Sequence, residues 1–273
     1  MRTETTKTTK TKKSAAAILN QVATLQAESL PAIPTGAWGS ENISAKDFII
    51  PKILVMQGQS TFVTEGTAMV GQLVNSVSRE VLGGKWGKDK DQPLNFICFY
   101  TFKTWIESEK RGDKFEFVRQ IPMDARNEDL PVEYTENGKV MRRDRSINAY
   151  CLLPSDITKG EGVIPYIISF RRTSYQAGKK LSSFLGKLAD FRQPAAAREF
   201  KLTVLQRENE KGKFCTFDIE MLGATQPAHL AVAYQWYQKV KSAALKIDDS
   251  DLRTEADQTR DVSEAPTSDD ITY

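Results

Sequence analysis

The residues in this sequence whose types and spacing could do chemistry are cations set beside rings. The stretch YIISFRRTSYQAGKKLSSFL, residues 166–185, gathers Arg171, Arg172, Tyr175, Lys179 and Lys180 where a strand-like alternation gives way to a helical one. Arg142, Arg143 and Arg145 precede Tyr150 in VMRRDRSINAYCLLP, and Lys103 lies between Tyr100 and Trp105 in LNFICFYTFKTW. Trp86 stands in the glycine-rich GGKWGKDK, among Lys85, Lys88 and Lys90. Cationic side chains can follow a phosphate backbone, and ring faces stack on unpaired bases at roughly 1–3 kcal/mol per base whatever the sequence. Lys103, Arg142, Arg143, Arg145, Arg171, Arg172, Lys179 and Lys180 are therefore the candidates for backbone contact, and Tyr100, Trp105, Tyr150, Tyr175 and Trp86 the candidates for stacking. Taken singly, each arginine also fits a solvated strand edge guarded by charge. Recurrence beside rings on separate segments is what points to a groove for single-stranded DNA.

Other chemistries find less material. His229 is the sole histidine, set in the first turn of a predicted helix, where a structural role suffices. No phosphate-cradling GxxxxGK[ST] and no GxGxxG follows a strand-like run. Glu107, Glu109 and Asp113 in ESEKRGD could hold Mg²⁺ in a nuclease, although a polar hairpin turn explains them too. Cys98, Cys151 and Cys215 are an odd set without paired spacing, each in an apolar run, and read as buried structural thiols of a reducing compartment. Neither a catalytic residue, a metal nor a cofactor is expected.

The elements that must position the cations are mostly strands. DFIIPKILVMQ, AMVGQLVNSV, LNFICFYTFKTW, KFEFVRQIP, VMRRDRSINAYCLLP, GVIPYIISFRRT, EFKLTVLQ and KFCTFDIEML are short, apolar and β-branched. GQSTFVTEG and LGGKWGKDKDQP read as turns, and 122–140 as a long polar excursion. One helix follows Arg172, with Leu181, Phe184, Leu185, Leu188 and Phe191 on one face and Lys179, Lys180 and Lys187 outside it; another starts at Pro227. Period-two phasing turns Ile147, Ala149, Cys151 and Leu153 to a core, with Asn148 and Tyr150 opposite; Arg171 points outward beside Ser169 and Thr173. In 96–105 both faces are apolar, Phe96, Cys98, Tyr100 and Phe102 on one and Ile97, Phe99, Lys103 and Trp105 on the other. That strand is either covered on both sides or presents an aromatic platform. The pattern predicts a mainly β protein with added helices, an elaborated OB-type antiparallel barrel, with a β-sandwich carrying peripheral helices as the alternative.

Charge divides the 273-residue chain into three parts. Residues 1–13 hold five basic groups against Glu4, and 248–273 hold nine acidic groups against Arg253 and Arg260, so the formal net charge of +3 conceals a basic body and an acidic tail. The expected organisation is a basic, flexible N-terminal arm with a short helix over 1–39, a DNA-binding body over 40–247 and an acidic, disordered tail over 248–273. Such a tail can compete with DNA for a basic groove and recruit partners once released. No apolar run approaches the roughly 20 residues that span a bilayer, so no membrane contact is expected and a cytoplasmic setting is.

FIIPKILVMQGQS, AMVGQLVNSVSREVL, PYIISFRRTSYQAGKKLSSFL and the acidic ending SDDITY together resemble the single-stranded DNA-binding proteins of tailed bacteriophages. The resemblance implies an OB-fold body that coats exposed strands during replication, recombination or repair in the bacterial host cytoplasm. It also implies a tail whose Asp269, Asp270, Ile271 and Tyr273 engage replication or recombination proteins. A virion structural or assembly protein remains the rival from another class, a metal-dependent nuclease a weaker one, and a strand-annealing recombination protein a near variant.

Overall fold

A computed structural model describes residues 49–86, 90–112, 114–160, 163–210 and 212–243. The chain divides into a unit over 1–44 and a unit over 45–273, and every described residue belongs to the second. The expected arm at 1–39 and tail at 248–273 lie outside the described residues.

Two antiparallel sheets carry the fold. The smaller runs β1 (Ile53–Val55), β2 (Gln72–Asn75), β3 (Val81–Trp86) and β4 (Lys90–Gln92), with the short helix α1 (Thr61–Thr64) between its first two strands. The larger is built on two long paired strands, β5 (Leu94–Arg111) and β8 (Lys139–Leu152). At one end of this pair, β10 (Arg198–Asn209) and β11 (Gly212–Ala224) extend the sheet beyond β5, and β9 (Tyr166–Arg171) extends it beyond β8. At the other end the neighbours are β6 (Lys114–Pro122) and β7 (Glu133–Glu136). Three helices complete the described unit: α2 (Pro154–Lys159), α3 (Tyr175–Asp190) and α4 (Pro227–Ala243).

The protein is thus mainly β with antiparallel sheets and a few helices. A parallel bridge from Lys52 to Ile167 joins the sheets, and the described pairings do not run round a closed barrel. The segment expected as a glycine-rich turn instead forms the hairpin β3–β4, in which Gly84 has a φ of +94° and a Cβ there would come within 2.3 Å of the Gly71 carbonyl oxygen. Trp86 therefore ends a strand; its side chain lies outside the described residues.

The larger sheet is covered on both faces where β9, β10 and β11 join it. One face sends Phe96, Cys98, Ile147, Ala149, Ile168 and Phe170 into a core closed by the smaller sheet and by Leu181 and Leu188 of α3. Gly178 lets α3 settle on the sheet, since a Cβ would meet the Phe170 Cβ at 2.7 Å. The other face sends Ile97, Phe99, Tyr150 and Leu152 against Leu230, Ala233, Trp236, Tyr237 and Val240 of α4. Two-sided burial is therefore the outcome for the apolar strand, but its expected phasing needs correction. Cys98 faces Cys151 and Tyr100 faces Tyr150, so Phe99 is an extra residue on β5. That bulge carries Tyr100 and Phe102 across to the Ile97 side, where both pack against the α4 cluster. Phe191 also departs from expectation: α3 ends at Asp190, and the ring is 76% exposed.

Candidate functional site

The junction of β9 and α3 forms one wall of an open cleft of about 110 Å³. Alternation along β9 turns Ser169 and Arg171 to the same side, and the one-turn 3₁₀ segment Arg172–Ser174 adds Arg172 and Thr173. Gln57 from the smaller-sheet side and Phe214 from β11 complete the rim, over a buried floor that includes Lys52, Ile53, Ser60 and Phe217.

Local bonds hold this geometry. Arg172 adopts a φ of +48°, a left-handed conformation that a non-glycine residue keeps only when its surroundings impose it. Its Nε donates to Asp144 Oδ2 at 2.9 Å. The same buried carboxylate approaches Arg142 Nε at 3.3 Å, so one negative charge serves two guanidinium groups. Thr216 Oγ1 donates to the Thr173 carbonyl at 2.9 Å and lies 3.1 Å from Ser174 Oγ, fastening the junction to β11. Gln57 closes the edge of β11: its Nε2 donates to the Cys215 carbonyl at 2.7 Å, and its Oε1 accepts from the Cys215 N–H at 2.8 Å. This side-chain amide takes the place a neighbouring strand would fill. Arg171 and Arg172 beside the half-buried hydroxyl side chains of Ser169 and Thr173 make a site suited to an anion such as a phosphate.

The remaining expected contacts do not converge on this cleft. The pleat turns Arg142 to one face of β8 and Arg143 and Arg145 to the other. Arg143 Nε donates to Glu107 Oε1 at 2.6 Å, and its guanidinium lies 3.6 Å from the Tyr134 ring centroid. Glu107, wholly buried, takes a second short bond from Arg119 of β6, so its carboxylate is flanked by cross-strand cations from both neighbouring strands. Burial alone would raise its pKa, but the bonds from Arg143, Tyr134 and Arg119 outweigh it and hold the carboxyl below its usual value.

Arg145 stacks 5.2 Å over the Trp105 ring, and its Nη2 donates to the Glu128 carbonyl. Lys103 Nζ pairs with the Glu128 carboxylate at 3.1 Å. On α3, Lys180 is held by Asp218 at 2.9 Å, and Lys179 lies 5.4 Å over Tyr175.

Four of the expected stacking rings are also accounted for within the fold, and this corrects the expectation that their faces are open to unpaired bases. Trp105 is 0% exposed, its Nε1 donating to the Asn127 carbonyl, because the polar excursion folds back over it. Tyr150 is 2% and Tyr175 9% exposed, and burial pushes the Tyr150 hydroxyl up to about 12. Tyr100 is half-buried, within stacking range of Phe102, Tyr150 and Tyr237. Burial also raises all three thiols, Cys98 to about 12, and all three are free and buried, as their apolar settings predict. Of the acidic trio, Glu107 is committed to arginines, Glu109 pairs with Lys139 at 3.0 Å, and Asp113 lies outside the described residues. Among the described residues no three His, Cys, Asp or Glu side chains are grouped as metal ligands, and no described helix is long and apolar enough to cross a membrane.

A family model described as Pam3 phage gp34-like protein matches residues 20–246. The chain belongs to this family of phage proteins. Comparison with curated proteins gives no match, and comparison with solved structures gives none either. The family match spans both long strands, the cleft and α4, so the features above lie within its bounds. In this phage protein, Lys52, Gln57, Ser60 and Phe214 are among the cleft residues that sequence reasoning misses. Lys52 lies one residue before β1 and Phe214 within β11, but that they share a cleft depends on the meeting of distant elements. Gln57, in the turn after β1, carries no local signal.

Proposed function

We propose that this phage protein is a sequence-independent single-stranded DNA-binding protein that coats exposed strands during replication, recombination or repair in the host cytoplasm. The observation that carries the reading is the cleft in which Arg171 and Arg172 stand with the hydroxyl side chains of Ser169 and Thr173 beside Phe214. Cations there would follow phosphates, hydroxyls would donate to their oxygens, and Phe214, half-buried, would offer an edge or face to a base. Lys179 and Lys180, exposed on the next turn of α3, extend the cationic track. In this reading the two sheets around one core serve as an elaborated OB-type body, and the acidic tail recruits replication or recombination proteins and competes with DNA.

The test is fluorescence anisotropy of labelled oligo-dT over a range of salt. Replacing Arg171 and Arg172 together by Ala should lower the slope of log K against log salt by about 1–2 units, because each lost phosphate contact releases one counterion fewer. Absence of binding at low salt, or an unchanged slope in the variant, overturns the assignment.

A second reading, a virion assembly protein, draws on a different observation. Away from the cleft the cations are paired internally, while Val118, Val132 and Val140 are at least two-fifths exposed on or beside β6, β7 and β8. Salt-insensitive self-association without affinity for oligo-dT would favour it.

A further inference from the structure

An apolar groove of about 690 Å³ opens between α4 and the turn Ala195–Ala197. Phe99, Pro194, Leu230 and Tyr237 line it, and the exposed ring of Tyr234 stands among its lining residues; every lining residue is uncharged. A concave apolar surface of this size beside a ring left in water is the pattern of a docking site rather than of a solvated face. One cation stands beside it: Lys241 Nζ lies 5.6 Å from the centroid of the groove-lining Tyr237 ring. A segment that suits it carries acids next to apolar groups. The chain after α4 does so, with nine acidic residues over 248–273 and the run Asp269, Asp270, Ile271, Thr272, Tyr273.

We propose that residues 269–273 dock in this groove of their own chain, Ile271 and Tyr273 against its apolar walls and Asp269 and Asp270 towards Lys241. Reach is sufficient. Leu230 and Ala243 lie 13 residues apart on one helix, about 20 Å at 1.5 Å per residue. A random-coil chain as long as the 26–30 residues that follow α4 would have a root-mean-square span of roughly 30 Å. Tethering at that length gives an effective concentration on the order of millimolar, enough for a small apolar contact that would be too weak between separate molecules. The docking stands whether or not the cleft takes DNA. Where the tail also serves partners, it keeps the same residues in reserve until a competing surface draws them out.

The experiment uses the full chain with Tyr273→p-benzoylphenylalanine, irradiated without DNA, in an equal mixture of unlabelled and ¹⁵N-labelled protein. Crosslinks within one chain, mapping to 194–196 or 227–237, are the expected result. Ala231→Arg places a guanidinium at an exposed groove-lining position of α4 and should cut their yield about fivefold or more, because its bulk obstructs the groove and docking of Ile271 and Tyr273 would strip water from its charge. Tyr234→Ser, also exposed, is the second variant and should lower the yield in the same direction. Unchanged far-ultraviolet circular dichroism in either variant keeps the comparison valid. Crosslinks that map elsewhere, that join labelled to unlabelled chains, or that persist in both variants overturn the proposal.

Discussion

The two ends of the β5–β8 pair are made of the same strands and held by opposite physics. Where β9, β10 and β11 widen the sheet, α3 with the smaller sheet covers one face and α4 the other, and the strand residues are rings and aliphatics. Where β6 and β7 flank the pair, the Glu107 carboxylate sits between Arg143 and Arg119, Lys139 reaches Glu109, and Arg145 covers Trp105. Cross-strand charge pairs thus stand where the other end has a helix-covered core. The difference teaches that a basic run in a strand records which end of the sheet lacks a covering element as readily as it records a polyanion partner. The cations that line the cleft, Arg171 and Arg172, belong to the covered end, at its boundary.

The largest expected effect breaks the comparison on the covered side. Phe200 is fully buried and stacks on Phe96 at 5.5 Å between centroids. Phe200→Ala should cost about 3–5 kcal/mol of global stability, read as a lower denaturant midpoint with every probe shifting together. A smaller effect is expected at the other end. Glu107→Gln leaves Arg143 beside a neutral amide in a half-buried setting, and because Arg119 remains partly in water the cost should fall to about 2 kcal/mol, below the 3–5 of a fully enclosed pair. Amide exchange should speed up in β6, β7 and the matching parts of β5 and β8, with β9–β11 unchanged. Equal acceleration at both ends would mean that the two regions open as one unit and that the contrast has no energetic content.

How much of this was legible in the sequence follows from the same contrast. Alternation along 147–153 places Ile147, Ala149, Cys151 and Leu153 in the core correctly, because pleat is a local property. Alternation along 96–105 misplaces Tyr100 and Phe102, because one extra residue at Phe99 reverses the phase and composition carries no mark of it. Tyr150 is rightly turned away from that core, yet whether its face meets water depends on α4, about 80 residues later in the chain, packing over it. The basic residues are visible as types, but Glu107 and Glu128 lie 36 and 17 residues from the arginines they bind, beyond any spacing rule for strands. Arg171 beside Ser169 and Thr173 was readable, since all three fall on one side of a single short segment.

Acid sharpens the comparison with the smallest expected effect. Burial alone would raise the Glu107 carboxyl, but bonds from Arg143, Tyr134 and Arg119 hold it below its usual value. A carboxyl with a depressed folded-state pKa contributes stability that is fully present above its unfolded value of about 4.3 and is lost as pH falls through the lower folded value. The groups that bond it are Arg143, Arg119 and the Tyr134 phenol, and Arg119 also reaches Glu136. Because its pKa is depressed, Glu107 is only partly protonated just below the usual carboxyl range, which is why the loss there should be less than in Glu107→Gln, where the charge is removed outright. Lowering the pH below about 4 should therefore loosen the β6–β5–β8–β7 end before the helix-covered end, seen as earlier exchange of its amides. In Glu107→Gln that differential acid sensitivity should shrink towards the background set by exposed carboxylates such as Glu116. If it persists undiminished, the acid response originates in those surface pairs and the buried carboxylate is not what distinguishes the two ends.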